Sequence, residues 1–288
     1  MNIFFDVGRP ISESINDAIH YMVIYHGDTF EAISDSVIVL LVYIEKTLRN
    51  VPAPLFIVFA VALAYLAGRR VGLAVGVAVG LYVIGCLGLW DQSIQTIAIM
   101  VVAVLLSLLF GIPLGILSAR SLHFRRLLSP VLDLMQTIPS FVYLIPAAML
   151  FGLGKMPAIL ATIIYATPPL IRLVDLGIRE VDAEVVEAGR SFGAGRWQVL
   201  TGIQIPLAMP AIMQGVNQTM MMSLAMVVIA SMIGARGLGE TVLMGLQRND
   251  AGLGFIGGMA IVILAIVFDR ITQAAGNRAQ GYRRNQAS

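Results

Sequence analysis

The polar residues whose types and spacing suit them for work lie between Val181 and Pro206, in the stretch VDAEVVEAGRSFGAGRWQVLTGIQIP. Asp182, Glu184, Glu187 and Arg190 are groups that pair ions, cap helix ends or dock a partner, because charges three or four residues apart share a helix face and carboxylates favour helix N-termini. Val181, Val185, Ala188 and Phe192 recur at helical spacing and form one apolar face. Gly193 and Gly195 then break the helix. A second short helical pattern runs from Trp197 to Ile203 and stops at Pro206. The result is a helix–turn–helix knuckle between two membrane segments, on a water face, where another molecule can grip it.

A second set of polar groups sits at membrane depth. Asp133 and Gln136 lie one turn apart, and Arg172 and Asp175, three apart, are spaced to pair on one face. Both pairs lie near helix ends, where an interfacial salt bridge competes with a functional role. Asn217, Gln218 and Thr219 are deeper, and either line a path or hydrogen-bond between helices. Methionines 213, 220, 221, 222, 226 and 232 suit core or lipid contact, or a sliding gate surface.

Several chemistries are missing from the sequence. No G-x-x-x-x-G-K-[ST] phosphate loop occurs, and Gly152-Leu153-Gly154-Lys155 lacks its spacing and hydroxyl, so ATP hydrolysis is not expected of this chain. No H-E-x-x-H or Cys/His cluster offers metal ligands, and His20, His26 and His123 fall outside the expected crossings. No G-x-S-x-G accompanies a usable histidine. Cys86, the single cysteine, excludes an internal disulfide and reads as a packed small hydrophobe.

The elements that must position these residues are set by composition. The 288 residues are 58% hydrophobic and 12% charged, against about 25% charged in soluble domains. A mean hydropathy of +0.86 places most of the chain in lipid. The net charge of +2 comes with no basic cluster or aromatic-basic platform, so nucleic acid is not a partner. Asp6, Glu13 and Asp17 interrupt the N-terminus, which does not read as a signal peptide. Ile33, Val37, Leu40, Leu41, Ile44 and Leu48 predict an amphipathic helix, on the membrane surface or against the bundle, within an extracytoplasmic region 1–50. A membrane-spanning region then covers 51–275, with a polar tail at 276–288. Crossings are expected near 54–68, 71–89, 93–119, 131–152, 157–177, 208–233 and 254–275, about seven in all. Pro139 and Pro146 make the fourth irregular, and Pro168-Pro169 breaks the fifth. Gly72, Gly76 and Gly80, and Gly111 and Gly115, mark close helix packing or a dimer contact.

Basic residues set the orientation. Arg69, Arg70, Arg120, Arg125, Arg126, Arg172, Arg179, Arg190, Arg196, Arg270, Arg278, Arg283 and Arg284 gather on one side. Lys155, Arg236 and Arg248 lie on the other, with Arg9, Lys46 and Arg49 as minor dissenters. The knuckle (178–207) and the C-terminus are therefore cytoplasmic and the N-terminus outside.

The knuckle resembles the cytoplasmic loop of binding-protein-dependent ABC importer permeases. Their Glu-Ala-Ala, Gly and Ile-x-Leu-Pro positions correspond here to Glu187, Ala188, Gly189, then Gly193, then Ile203, Ile205 and Pro206. Gly189 replaces the second alanine, which bears on local stiffness, and Ile205 replaces leucine. The stretches LGLWDQSIQT, LSLLFGIPLGILSAR, LDLMQTIPSFVYLIPA and VVIASMIGARGLGETVL are similar to the glycine betaine/proline betaine branch of these permeases.

That resemblance implies an all-α integral membrane protein of the type I importer fold, in the bacterial inner membrane. It is not itself an enzyme and carries no cofactor or metal; ATP and magnesium belong to an ABC ATPase subunit dimer. The ATPase grips the knuckle through Glu187, Ala188, Gly189, Phe192 and Gly193, backed by Ile203 and Pro206. A periplasmic or lipid-anchored substrate-binding protein delivers a compatible solute such as glycine betaine, proline betaine, choline or a related methylated amine. It docks on Arg236, Glu240, Arg248 and Asp250, in a glycine-rich outer loop that otherwise reads as plain solvated loop. Candidate path residues are Phe141, Tyr143, Asn217, Gln218 and Met221, with Trp90 a further aromatic by type. Two permease halves are needed, and a homodimer in membrane lipid is expected. A gradient-driven carrier and a non-transport membrane scaffold or sensor are the competing readings.

Overall fold

The structure, a computed structural model, describes residues 8–284 of the chain, so Asp6, tail residues 285–288 and the side chains of Arg278, Arg283 and Arg284 lie outside the description. Every regular element among the described residues is helical. Hydrocarbon offers no partner to a backbone N–H or C=O, and a helix satisfies both within one segment. In chain order the helices are α1 (Gly8–Asn50), α2 (Ala53–Gly68), α3 (Val71–Cys86), α4 (Trp90–Arg120), α5 (Leu122–Thr137), α6 (Leu144–Phe151), α7 (Lys155–Arg179), α8 (Ala183–Ser191), α9 (Arg196–Val199), α10 (Ile205–Ala230), α11 (Leu238–Gln247) and α12 (Ala251–Arg284). A 3-10 turn, Ser140–Tyr143, precedes α6; a π turn, Leu200–Gln204, joins α9 to α10; a second 3-10 turn, Ser231–Ile233, follows α10.

Helix α7 is the centre of the bundle, packed along its length against α4 and α10. Glycines bring the axes close. A Cβ on Gly111 would fall 2.7 Å from Leu170 Cδ2, one on Gly115 2.6 Å from Val174 Cβ, and one on Gly177 2.6 Å from Ala211 Cβ. Gly111 and Gly115 thus serve packing within the bundle, as does Gly80 against Ile263, whereas Gly72 and Gly76 meet nothing within 4 Å. Leu170, Val174, Ile178, Leu200, Ala208 and Ile212 fill the seam at the knuckle end. Ala98, Ile99, Val102, Ala158 and Ile159 fill the opposite end, around the fully buried Leu41 of α1. A third cluster holds α2 and α3 to α12 through Ala60, Val77, Leu81, Ile84 and Leu264.

Of the expected crossings, α4, α7, the continuous run Arg196–Ile233 and Ala251–Ala274 are each long and apolar enough to span as one helix. Helices α2 and α3 have 16 residues apiece, about 24 Å of helix against a hydrocarbon core of about 30 Å. They still join the two ends: Phe56 lies edge-on to Trp90, ring centroids 5.6 Å apart, at one end, and Gly68 adjoins Ala274 at the other. The amphipathic N-terminal helix is longer than its apolar spacing implies, 43 residues, and meets α2 at 103°. Val37, Ile44 and Leu48 pack beside Leu41 as the spacing requires, while Ile33 and Leu40 remain exposed.

Several local expectations are corrected. The crossing expected at 131–152 is two helices bent by 104°; Pro139 forces Ile138 out of the α region, to ψ 129°, and ends α5. Pro168 and Pro169 do not break the fifth crossing. Both are buried inside an unbroken α7, held by its neighbours, and the Thr167 hydroxyl donates to the Ile163 carbonyl just upstream at 2.6 Å. The second knuckle helix does not stop at Pro206. It passes through the π turn, where Ile205 N–H reaches back five residues to Leu200 O, into α10. Pro206 sits in the first turn of α10, where a missing N–H costs least. The supposed glycine-rich outer loop contains α11, and α12 continues as helix through much of the supposed tail. Cys86 is exposed rather than packed, because the inward face of α3 belongs to Leu81 and Ile84. Arg172 pairs with Asp133 at 2.5 Å, not with Asp175, which is buried and bound by Arg179 at 3.0 Å.

The α4–α7 seam gives a stability prediction. Gly115→Val should lower the thermal stability of the detergent-solubilised chain by about 1–3 kcal/mol through overpacking against Val174, while Gly72→Ala, facing open space, should not lower it. Equal melting temperatures for wild type and Gly115→Val would show that the seam is not close-packed.

Candidate functional site

The knuckle has two faces, and they divide differently from the apolar stripe read in the sequence. Asp182 caps α8, its carboxylate accepting from Glu184 N–H at 2.9 Å. The residue of α8 that turns inward is Val186; Val185, Ala188 and Phe192 are exposed, Phe192 at 93%. The inner face is completed by Gly189, whose missing Cβ is filled by Ile203 Cδ1 from the π turn, and by buried Val199 and Leu200. Gly189 therefore does more than loosen the helix: it admits the isoleucine. Glu187 lies exposed on the outer side and, among the described residues, has no ion-pair partner.

The turn between α8 and α9 is fixed by backbone geometry. Gly193 has φ +86°, a left-handed conformation that strains any residue with a Cβ. Ala194 N–H reaches back to Gly189 O at 3.1 Å and Gly193 N–H to Arg190 O at 2.9 Å, closing the C-terminus of α8. Gly195 N–H donates to the Gln198 side chain at 2.7 Å, which starts α9. The Arg120 guanidinium, from the last turn of α4, lies 4.5 Å over the Trp197 ring and donates to Arg196 O at 3.1 Å. The knuckle is thus a preformed, braced protrusion with a carboxylate and an aromatic ring presented outward.

The five candidate path residues do not form one lining. Asn217 is buried toward α12: its amide donates to Asp269 Oδ1 at 2.9 Å and its carbonyl accepts from Thr272 Oγ1 at 2.5 Å. Gln273 donates to the same Asp269 oxygen at 2.7 Å. Asn217 thus makes an interhelical bond, one whose loss would leave a half-buried carboxylate short of a donor. Thr219 is buried too and bonds Gly215 O in its own helix. Gln218 and Met221 are exposed on another face of α10. Tyr143 donates to Met135 O at 2.6 Å, satisfying a carbonyl freed where α5 ends. Phe141 lies at the far end, in an open apolar groove of about 570 Å³ with Leu144, Ile145, Met149 and Met232. Trp90 is packed against Phe56. Of the methionines, Met226 is fully buried while Met221 and Met232 are exposed.

At the far end Arg236 is exposed and Glu240 half-buried in the first turn of α11. Arg248 is exposed beyond the end of α11, and Asp250 caps α12 by accepting from Leu253 N–H at 2.9 Å. These four residues flank one short helix, α11, which is packed against α12 so closely that Gly245 abuts the backbone of Gly254. Lys155 and Arg49, two basic residues on this side, share Glu45 at 2.6 and 3.1 Å.

Sequence reasoning missed Asp269, Thr272, Arg120 and Trp197 as contact residues. Asp269 is a lone carboxylate after an apolar run, a signal of buried polar pairing that its neighbour Arg270 disguised as a helix end. The Arg120–Trp197 contact joins positions 76 or more residues apart and leaves no local pattern.

The family described as "Binding-protein-dependent transport system inner membrane component" matches residues 111–280. The chain is 46% identical over 278 residues to the glycine betaine/proline betaine transport system permease protein ProW of Escherichia coli (strain K12), covering 96% of this chain and 78% of that protein. It is 48% identical over 213 residues to the glycine betaine/carnitine transport permease protein GbuB of Listeria monocytogenes, covering 74% and 76%. The inward-facing MetNI methionine ABC transporter superposes with a TM-score of 0.57 at 22% identity, over 64% of this chain and 90% of that one, a likeness of fold. A bundle centred on α7, with a braced knuckle and no nucleotide-binding motif of its own, meets a family match over more than half the chain: the protein belongs to the binding-protein-dependent transport system inner membrane components, as a membrane permease subunit of an ABC importer whose ATP hydrolysis falls to a separate subunit.

Proposed function

We propose that this permease carries a small methylated amine of the glycine betaine class into the cytoplasm, with the α8–α9 knuckle as the seat of the ATPase. The observation that carries the coupling role is the exposure of Phe192 beside an unpaired Glu187, on a knuckle whose inner face is already full. A large exposed aromatic on a rigid support is the kind of anchor that dominates an interface. Closure of the ATPase dimer would displace the knuckle and, through the π turn, α10. Ala188 and Gly193 shape this seat, and Ile203 and Pro206 connect it to the span.

The solute class rests on relatives whose names specify glycine betaine with proline betaine or carnitine. A permeating quaternary amine calls for aromatic faces and weak polar contacts rather than a tight site, and Phe141, Gln218 and Met221 remain the exposed candidates. The knuckle end carries Arg120, Arg172, Arg179 and Arg196, so by the charge rule it is cytoplasmic and α11 is outside. There Arg236, Glu240 and Arg248 would receive the substrate-binding protein. We infer that a second copy of this chain completes the pore, with exposed apolar side chains of α3, α6 and α12 facing that copy or the surrounding lipid.

Proteoliposomes holding this chain, its ATPase and the binding protein should accumulate labelled glycine betaine only with ATP; accumulation on an ion gradient without the ATPase would overturn the reading. Phe192→Ala should weaken ATPase association by about 2 kcal/mol, roughly 30-fold, in a pull-down titration. Gly193→Ala, strained by about 1–2 kcal/mol, should lower solute moved per ATP while the chain still inserts. With the exposed Cys86 first replaced by alanine, Arg236→Cys should react with an impermeant maleimide added outside intact cells, and Arg190→Cys should not.

A further inference from the structure

Two contacts hold the opposite ends of α4. At the knuckle end, Arg120 stacks on Trp197 and donates to Arg196 O. At the far end the fully buried Thr96 hydroxyl oxygen accepts from Leu238 N–H at 2.9 Å, and a Cβ on Gly237 would fall 2.6 Å from that same oxygen. Leu238 is the first residue of α11, and Gly237 has no side chain with which to cap it. Thr96 therefore supplies, from another helix, the acceptor that an N-terminus of a helix needs. Thr96 and Arg120 are 24 positions apart on one continuous helix, about 36 Å.

We propose that α4 is a transmembrane strut joining α11 to the knuckle, with Thr96 and Arg120 as its positioning residues, so that a loaded binding protein on α11 sets the pose of α9 before ATP is hydrolysed. This rests on the reading of α11 and the knuckle as docking sites. Helix α9 has four residues and runs through the π turn into α10, with Val199 and Leu200 buried against the bundle. The Arg120 clamp holds its outer side, at Trp197, from a different helix, so α4 shares in fixing the rotation of α9. Trp197 is 69% exposed, so the planar guanidinium over its ring is its support, a geometry an ammonium group reproduces poorly. Between the clamps α4 is seated on α7 through Gly111 and Gly115, which lets a displacement at one end reach the other without being lost to a slack interface.

The test is the ratio of ATPase rate with substrate-loaded binding protein to the rate without it, in the reconstituted complex. Thr96→Val removes the acceptor at nearly constant volume, and Arg120→Gln removes charge and stacking. Each should reduce the ratio by roughly threefold or more, measured at saturating ATPase and binding protein so that any weaker docking at either end is overcome. The double variant should do no worse than the stronger single. Thr96→Ser, which keeps the acceptor, should retain the wild-type ratio, and Arg120→Lys should fall between. Wild-type ratios in both Val and Gln variants, a double loss equal to the product of the singles, or Ser failing as badly as Val would each overturn the strut. If loaded binding protein leaves α11 unprotected from hydrogen exchange in the wild type, the docking reading has failed instead.

Discussion

The close approach of α4, α7 and α10 is the constraint on which the remaining structure depends. Lipid tails are as apolar as the side chains they would replace, so helices in a bilayer gain little from burying leucine and associate where small residues permit dense contact. Gly111 and Gly115 admit Leu170 and Val174, and Gly177 admits Ala211. The same contacts explain how α7 tolerates two adjacent prolines: its neighbours enforce the helical path that its own hydrogen bonds cannot. Because the seam is continuous from the far end to the knuckle, both polar ends are attached to one rigid body.

The knuckle shows how a permease without nucleotide chemistry receives work. Its inner residues, Val186, Gly189, Val199, Leu200 and Ile203, bind it to the bundle, and its outer residues, Glu187, Ala188 and Phe192, are left for a partner. A handle must be firm where it is attached and free where it is held. The division of one short motif between those two tasks accounts for the fixed spacing of Glu187, Gly193, Ile203 and Pro206: the residues that grip the bundle must fold back on those that present the grip.

Much of this was legible in the sequence. The knuckle stood out because polar residues interrupt an otherwise apolar half, and Gly193 is required by its left-handed backbone. The long spans α4, α7 and α12 followed from length and hydropathy. What failed did so for identifiable reasons. Proline by itself predicts a stop at Pro168-Pro169 and Pro206, yet its effect depends on whether neighbours hold the helix or whether the residue falls in a first turn. Helical spacing at Val181, Val185, Ala188 and Phe192 marks one apolar face, but periodicity does not say what covers it, and the bundle leaves Val185, Ala188 and Phe192 exposed. Arg172 was matched to Asp175 by proximity in sequence, whereas tertiary packing brought Asp133 to it. Asn217 meets Asp269, far away in the chain, a contact that no local pattern announces.

The π turn at Leu200–Gln204 has a geometric consequence of its own. One extra residue in a helical turn advances the azimuth of everything beyond it by about 100°. Ala208 and Ile212 face α7 only because that phase offset has been inserted after α9. The orientation of the grip and the orientation of the span are thereby set as independent variables, so each can be retuned by altering five residues rather than by redesigning either helix.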